Sequence, residues 1–401
     1  MSKSRSNTRG EDVVIAAARR TAIGSFLGTL AAASATDLGA AAIKALLNDT
    51  SLPLGEIDEV YMGCVLPAGL GQAPARQAAL KAGLPVSVGC TTVNKVCGSG
   101  MKAVMQAHDA LRAGGVNVMI AGGMESMSNA PYLVPKVRSG YRFGHQTLID
   151  HMFFDGLENA ADNKLMGHFA ERCARQFGFT RKEQDAYAIA SVQRAVAAIN
   201  DRAFEEEITA LEVPDKGSMQ LVDQDEQPLK CKIDKIPQLK PAFDREHGTV
   251  TAANSSSLSD GAAALMLTTR DFAREFEMPV MARLVAHAEV AQAPEDFTTA
   301  PAGAIKHVMI RAGWTMAQVD LFEINEAFAV VAMAAIRELE LDRDKVNVNG
   351  GACALGHPIG ASGARLLVTL LHALRHRGLK RGVASLCIGG GEATAVAVEL
   401  E

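Results

Sequence analysis

Val93-Asn94-Lys95-Val96-Cys97-Gly98-Ser99-Gly100 brings an apolar approach to a single cysteine and follows it at once with a Gly-Ser-Gly turn. Beyond it, Met101, Val104, Met105, His108 and Leu111 recur at helical spacing, and Gly114-Gly115 supplies a stop. The pattern predicts a buried strand, a tight turn and a helix, with Cys97 at the helix start. Unpaired backbone N–H groups and the positive end of the helix dipole favour an anion there, so the thiol is expected to have a depressed pKa and to carry thiolate. From this stretch alone, a buried structural cysteine beside a tight turn reads equally well.

Working outward, the same order of signals returns later in the chain. Ala42-Ile43-Lys44 reappears as Ala304-Ile305-Lys306, and Ile57-Asp58-Glu59-Val60 as Val319-Asp320-Leu321-Phe322, both displaced by 262 residues (304 − 42 and 320 − 58). Ser99-Gly100 matches Ser362-Gly363 and Ala110-Leu111-Arg112 matches Ala373-Leu374-Arg375, displaced by 263 (362 − 99 and 373 − 110). Ile120-Ala121-Gly122-Gly123 is matched to Ile388-Gly389-Gly390-Gly391. An offset this constant predicts two copies of one α/β unit packed as pseudo-symmetric halves around a shared site. Upstream, Asp12 to Ala18 reads as a strand and Thr36 to Leu47 as a helix capped by Thr36 or Asp37.

Between the copies, Met127 to about Ser257 differs in kind. It holds Pro131, Pro135, Arg138, Tyr141, Arg142, His145 and a Lys-rich Lys230 to Lys240, and one clear helix, Gly167 to Asn200, broken near Gly178. It reads as an inserted excursion that covers a site, since loops on a rigid scaffold commonly carry binding.

Composition narrows the class. The 401 residues exceed one core and favour two or three domains, and 48% apolar with 21% charged residues is the balance of a globular protein. A net charge of −5 with one Trp and four Tyr argues against a nucleic-acid surface. No apolar run is long enough for a membrane span, and Met1 to Gly10 lacks the apolar core of a secretory signal; it reads as a disordered tail of a cytoplasmic protein. The seven cysteines (Cys64, Cys90, Cys97, Cys173, Cys231, Cys353, Cys387) are odd in number and scattered, which fits reduced thiols better than disulfides or a zinc ribbon.

The second copy supplies partners for Cys97. Asn325, in Glu323-Ile324-Asn325-Glu326-Ala327-Phe328, lies where a strand gives way to a helical run, Ala327 to Leu341; it is a buried amide or the helix cap. The loop from Asn349 to Gly363 holds His357 between Gly356 and Pro358 and is the counterpart of the Cys97 loop. A satisfied structural histidine is the bland account; symmetric packing would instead bring it to Cys97. Ser385-Leu386-Cys387-Ile388-Gly389-Gly390-Gly391 delivers a second thiol into a glycine turn whose N–H groups suit an oxyanion. A Cys/His pair with a second thiol suits acyl transfer: His357 takes the proton of Cys97, the thiolate attacks a thioester, and Cys387 is a separate acid/base.

Taken together, Val96-Cys97-Gly98-Ser99-Gly100, Asn325-Glu326-Ala327-Phe328, Gly356-His357-Pro358 and Cys387-x-Gly389 closely resemble the thiolase family. So do Arg19-Arg20-Thr21-Ala22-Ile23-Gly24 and Gly122-Gly123-Met124-Glu125-Ser126-Met127-Ser128. The resemblance implies an α/β thiolase fold of two pseudo-symmetric βαβαβαββ halves in an α-β-α-β-α layering. The first half would span 1–126, completed by about 258–279; a coenzyme A loop domain 127–257; the second half 280–401. It implies reversible Claisen condensation of two acetyl-CoA to acetoacetyl-CoA, or thiolysis of short 3-oxoacyl-CoA, with broader chain-length thiolysis in fatty-acid β-oxidation as the alternative. Cys97 would be acylated and His357 its base; Cys387 would work on the α-carbon, Asn325 would hold an oxyanion water, and the N–H groups of Cys97 and Gly389 would line the other oxyanion hole. Ser256, Met166, Leu165, Phe328 and Ala327 would meet the substrate.

The resemblance further implies no metal and no cofactor beyond the CoA thioesters themselves. It also implies a homotetramer, or a dimer, in lipid metabolism, with Pro131 to His145 as a tetramer contact. Leu165-Met166-Gly167 departs from the usual His-Met-Gly of short-chain members. Lys230, Lys232 and Lys235 would suit the CoA phosphates, although a solvated basic face explains them as well. Related condensing enzymes of the fold usually lack the second cysteine, and a pure binding protein needs neither Cys97 nor His357.

Overall fold

The computed structural model describes residues 12–215 and 217–401; the tail expected at Met1 to Gly10 lies outside the described residues. The first half runs β1 (Val13–Thr21), α1 (Ala35–Thr50), β2 (Glu59–Gly63), α2 (Pro74–Lys81), β3 (Gly89–Val93), α3 (Ser99–Ala113) and β4 (Val118–Ser126). An excursion containing α4 (Met166–Phe177) and α5 (Arg181–Asn200) then returns to β5 (Ser259–Thr269). The second half runs β6 (Ala282–Ala291), α6 (Ala300–Ala312), β7 (Leu321–Ile324), α7 (Ala329–Leu339), α8 (Ser362–His376), β8 (Arg381–Ile388) and β9 (Glu392–Leu400).

The nine long strands lie in the order β7-β8-β9-β6-β1-β5-β4-β2-β3. Read outward from the centre, each half has the same order, and the halves join where β1 and β6 pair antiparallel at Val14–Arg283 and Ile15–Ala282. The third strand of the second half is reduced to one parallel bridge, Phe322 with Val346. Three apolar cores give the layering. One packs α1 and α2 on the first half-sheet. Another encloses α3 and α8 between the half-sheets. A third packs α6 and α7 on the second half-sheet. α8 shows why it is central: Leu366, Leu367, Leu370, Leu371 and Leu374 are all fully buried, each worth about 1.5–3 kcal/mol.

α3 and α8 are equivalent under the 263-residue offset (362 − 99), and their first turns cross closely. A Cβ on Gly100 would lie 3.0 Å from the Gly360 carbonyl oxygen and from Ala364 N; one on Gly363 would lie 2.5 Å from Met101 N. The two glycines therefore let the loops before the helices meet, and those loops carry Cys97 and His357.

Several local expectations change. α1 begins at Ala35 and is capped by Ser34, because Asp37 occupies the third helical position and closes a capping box with it. α7 starts at Ala329, not Ala327: Ala327 lies at a bend and Phe328 is extended, because Ser256 N–H donates to the Ala327 carbonyl and Ser255 bridges Phe328. The long helix is indeed two, with Gly178 left-handed at the end of α4. The pairing of Ile120 with Ile388 fails. Ile120 faces Val60 on β2, whose counterpart Phe322 faces Val383 on β8, so Val383 is the equivalent residue.

Candidate functional site

Cys97 sits in the turn between β3 and α3. Val96 adopts φ +47°, an unfavourable conformation for a β-branched residue, and the turn is held around it. Asn94 Oδ1 accepts the Val96 N–H at 3.0 Å, while Ser99 Oγ accepts the Lys95 N–H at 2.8 Å and donates to the Val96 carbonyl at 2.6 Å. Gly98 packs closely on the second half, since a Cβ there would lie 2.4 Å from Ile388 Cδ1. That contact presses the turn against the end of β8, where Cys387 is buried.

The backbone N–H groups of Gly389 and of Cys97 itself favour negative charge at the Cys97 sulfur. They lower its pKa, but burial outweighs them and pushes the thiol up to about 11. The expected depressed pKa is therefore wrong: the helix start is present, but loss of hydration disfavours the anion more. Burial, and then the nearness of Cys97, also holds Cys387 well above the usual thiol range.

His357 is fixed by Ser362, the α8 counterpart of Ser99. Ser362 Oγ donates to the Pro358 carbonyl at 2.9 Å and lies 2.6 Å from His357 Nδ1. With its proton so committed, the serine oxygen accepts Nδ1–H and leaves Nε2 as an acceptor. Burial, followed by the Arg365 charge, pushes the imidazole down to about 3, so it is neutral at rest. Asn325 Nδ2 lies 3.5 Å from His357 Nε2, and Asn325 Oδ1 is buried without a partner among the described residues. It caps no helix; its amide stands behind the histidine.

These groups converge on one apolar cavity of about 390 Å³. Cys97, His357, Cys387, Gly389, Leu165, Met166, Ser256, Ala327 and Phe328 all line it, so only Asn325 of the predicted residues lies behind the wall. The excursion closes the roof through Phe153, Phe243 and Leu258, with Phe297 beside them. Lys230, Lys232 and Lys235 do not reach the cavity, and Lys230 is paired with Glu226.

Two buried carboxylates that the sequence reading passed over hold this arrangement. Glu125 accepts N–H bonds from Val65, Leu66 and Gly360 at 3.0, 3.1 and 2.9 Å, tying the first half to the His357 loop. Burial pushes it up to about 7 despite those bonds. Glu326 accepts from Tyr187, Ser191, Asn347 and the Cys353 N–H, tying α5 to the same loop. No local pattern marks either role, because every partner is distant in sequence. Glu125→Gln sets an amide NH₂ against backbone N–H groups, at about 1–3 kcal/mol. We expect kcat to fall about 10- to 100-fold with KM changed less than about 3-fold; an unchanged kcat in steady-state assays would refute the positioning role.

Two pseudo-symmetric α/β halves that present two cysteines and a histidine to one cavity define a thiol-dependent acyl-transfer enzyme. Residues 13–271 match the family described as "Thiolase, N-terminal domain" and residues 278–400 "Thiolase, C-terminal domain". The chain is 51% identical over 388 residues to an acetyl-CoA acetyltransferase of Pseudomonas aeruginosa, covering 96% of this chain and 98% of that one. It is 50% identical to acetyl-CoA acetyltransferase 1 of Arabidopsis thaliana, covering 97% and 94%. Among solved structures, the Bacillus anthracis acetyl-CoA acetyltransferase superposes with a TM-score of 0.95 at 38% identity over 99% of this chain and 100% of that one. The Acat5 thiolase of Ascaris suum in complex with coenzyme A gives 0.92 at 42%, over 98% and 100%. The chain belongs to the thiolase family. Among the described residues, no helix is long and apolar enough to cross a membrane.

Proposed function

We propose that the protein is an acetyl-CoA C-acetyltransferase that condenses two acetyl-CoA to acetoacetyl-CoA and CoA and catalyses the reverse thiolysis. The observation that carries this reading is the convergence of Cys97, His357, Cys387 and Gly389 on one apolar cavity, where the Gly389 and Cys97 N–H groups favour negative charge at the sulfur. Both N–H groups are poised for the oxygen of a carbonyl under attack by that sulfur.

In condensation, the Cys97 proton passes to His357 Nε2 as the sulfur attacks the acetyl-CoA carbonyl. The tetrahedral oxyanion is held by the two N–H groups. Its collapse expels the CoA thiolate, which takes the Cys387 proton and departs as CoA. The Cys387 thiolate then removes an α-proton from a second acetyl-CoA. The enolate oxygen is held by protonated His357 and a water on Asn325, and its carbon attacks the acyl-cysteine. Cys97 leaves and regains its proton from His357, and Cys387 keeps the α-proton. Thiolysis runs the same steps backwards. No metal or redox group enters, since thiolates, imidazole and backbone dipoles carry every charge.

Substrate contacts are assigned to Ser256, Leu165, Met166, Ala327 and Phe328. Leu165 presents a hydrocarbon where short-chain relatives have histidine. Exposed Tyr132, Val137, Phe143 and Leu148 support the segment after Pro131 as a contact between copies in a homotetramer. A cytoplasmic role in lipid metabolism completes the reading. Initial-rate thiolysis across 3-oxoacyl-CoA chain lengths tests it: kcat/KM should be highest at the four-carbon substrate and fall at least about 10-fold by eight carbons. A rate that rises with chain length would favour the broader β-oxidation thiolase.

A further inference from the structure

Away from the cavity, α3 and β6 meet along a seam that acyl transfer does not use. Lys102 Nζ lies 3.1 Å from Glu289 Oε2, and two helical turns further Asp109 faces His287. His287 Nε2 is 2.9 Å from Asp109 Oδ1, and His108 Nδ1 is 3.2 Å from the same oxygen. The two imidazoles meet edge to face with centroids 5.0 Å apart. One donor atom from each of the three residues lies within 4.8 Å of the other two. Both histidines are largely buried while Asp109 is exposed, so the cluster opens to solvent on one side.

We propose that His108, Asp109 and His287 form a binding site for a Zn²⁺-class divalent transition metal ion, which ties α3 of the first half to β6 of the second. Two imidazoles and a carboxylate are the donors that borderline ions prefer, while Mg²⁺ and Ca²⁺ require oxygen ligands. Tetrahedral coordination at about 2.0–2.1 Å needs donors about 3.3 Å apart. Two of the three separations are already within a few tenths of an ångström of that, and the third, between the two imidazoles, is within 4.8 Å. Among the described residues His287 Nδ1 has no partner, so turning that ring breaks no second hydrogen bond with them. The fourth position faces solvent and takes water.

The test is a Co²⁺ titration of the full chain carrying Cys97→Ser and Cys387→Ala, which removes the competing thiols of the cavity. One equivalent should bind with the visible absorption of tetrahedral coordination and be displaced by Zn²⁺. Adding His287→Gln or Asp109→Asn should each weaken binding at least 10-fold. Either substitution in the otherwise unaltered enzyme should leave thiolysis within 2-fold, which also reports that it folds. Zn²⁺ should raise the melting temperature of the parent and not of His287→Gln. Absence of stoichiometric binding, or affinity unchanged in both variants, overturns the site and leaves the acyl-transfer reading untouched.

Discussion

Replacing Cys97 by serine is expected to lower acetoacetyl-CoA thiolysis on the order of 10⁴-fold or more, with the melting temperature within a few degrees of the parent. Serine matches the thiol in shape, and the turn hangs on Asn94 and Ser99, so the fold has no reason to change. What changes is the nucleophile. His357 sits neutral with an acceptor nitrogen and can relay a thiol proton, but a hydroxyl starts several pKa units higher in the same desolvated setting. Acetyl-CoA should leave an acetyl adduct on the parent and none on Cys97→Ser by mass spectrometry. Turnover within 10-fold of the parent would sink the acyl-enzyme.

The pH behaviour of that thiol follows with its sign. A pKa raised to about 11 leaves Cys97 protonated at neutral pH, so its anionic fraction grows about tenfold per pH unit below that value. His357, pushed down to about 3, stays neutral through the same range and contributes no acid limb. Iodoacetamide labelling of Cys97 in the free enzyme should therefore climb from pH 6 to 9 without a plateau. A plateau below pH 8 would mean a resting thiolate–imidazolium pair, which is what the helix start alone suggested. The structure implies instead that the proton moves only as substrate presents its carbonyl to the Gly389 and Cys97 N–H groups.

That contrast marks what the residues reveal on their own. The repeat was legible because α3 and α8 are each a complete local pattern, a serine at the first helical position followed by apolar residues at helical spacing. Pseudo-symmetry then brought His357 to Cys97, since Gly100 and Gly363 allow the two helix starts to touch. The mismatch at Ile120 shows the limit. Gly122 and Gly123 are small because a Cβ would strike the carbonyls of Ala263 and Gly360 at 2.1 and 2.0 Å, whereas Gly390 and Gly391 turn the chain at φ +92° and +91°. Identical letters served different physics. Burial of Cys97 and the anchoring by Glu125 and Glu326 depend on residues far apart in sequence, so neither could be read from one stretch.

Cys387→Ala should separate the two halves of the reaction. Acetyl-CoA should still acylate Cys97, since Cys97, His357 and both N–H groups remain and protonated His357 can give the departing CoA thiolate the proton that Cys387 otherwise supplies, while condensation falls on the order of 10³-fold because the base for the α-proton is gone. The substitution removes one buried sulfur from an apolar wall, so the loss should be in kcat and not in folding. The structure also supplies the order of events. Burial disfavours the Cys387 anion first, and charge on Cys97 disfavours it further. Cys97 rests protonated, and acylation removes its ability to ionise, so the Cys387 thiolate left when CoA takes its proton meets no second anion when a base is wanted for the incoming acetyl-CoA. The free enzyme with Cys387 intact should thus exchange the α-hydrogens of acetyl-CoA with solvent deuterium slowly, and the acetylated enzyme faster. Condensation by Cys387→Ala within 10-fold of the parent would place the base elsewhere. Equal exchange by free and acetylated enzyme would remove that ordering while leaving the base in place.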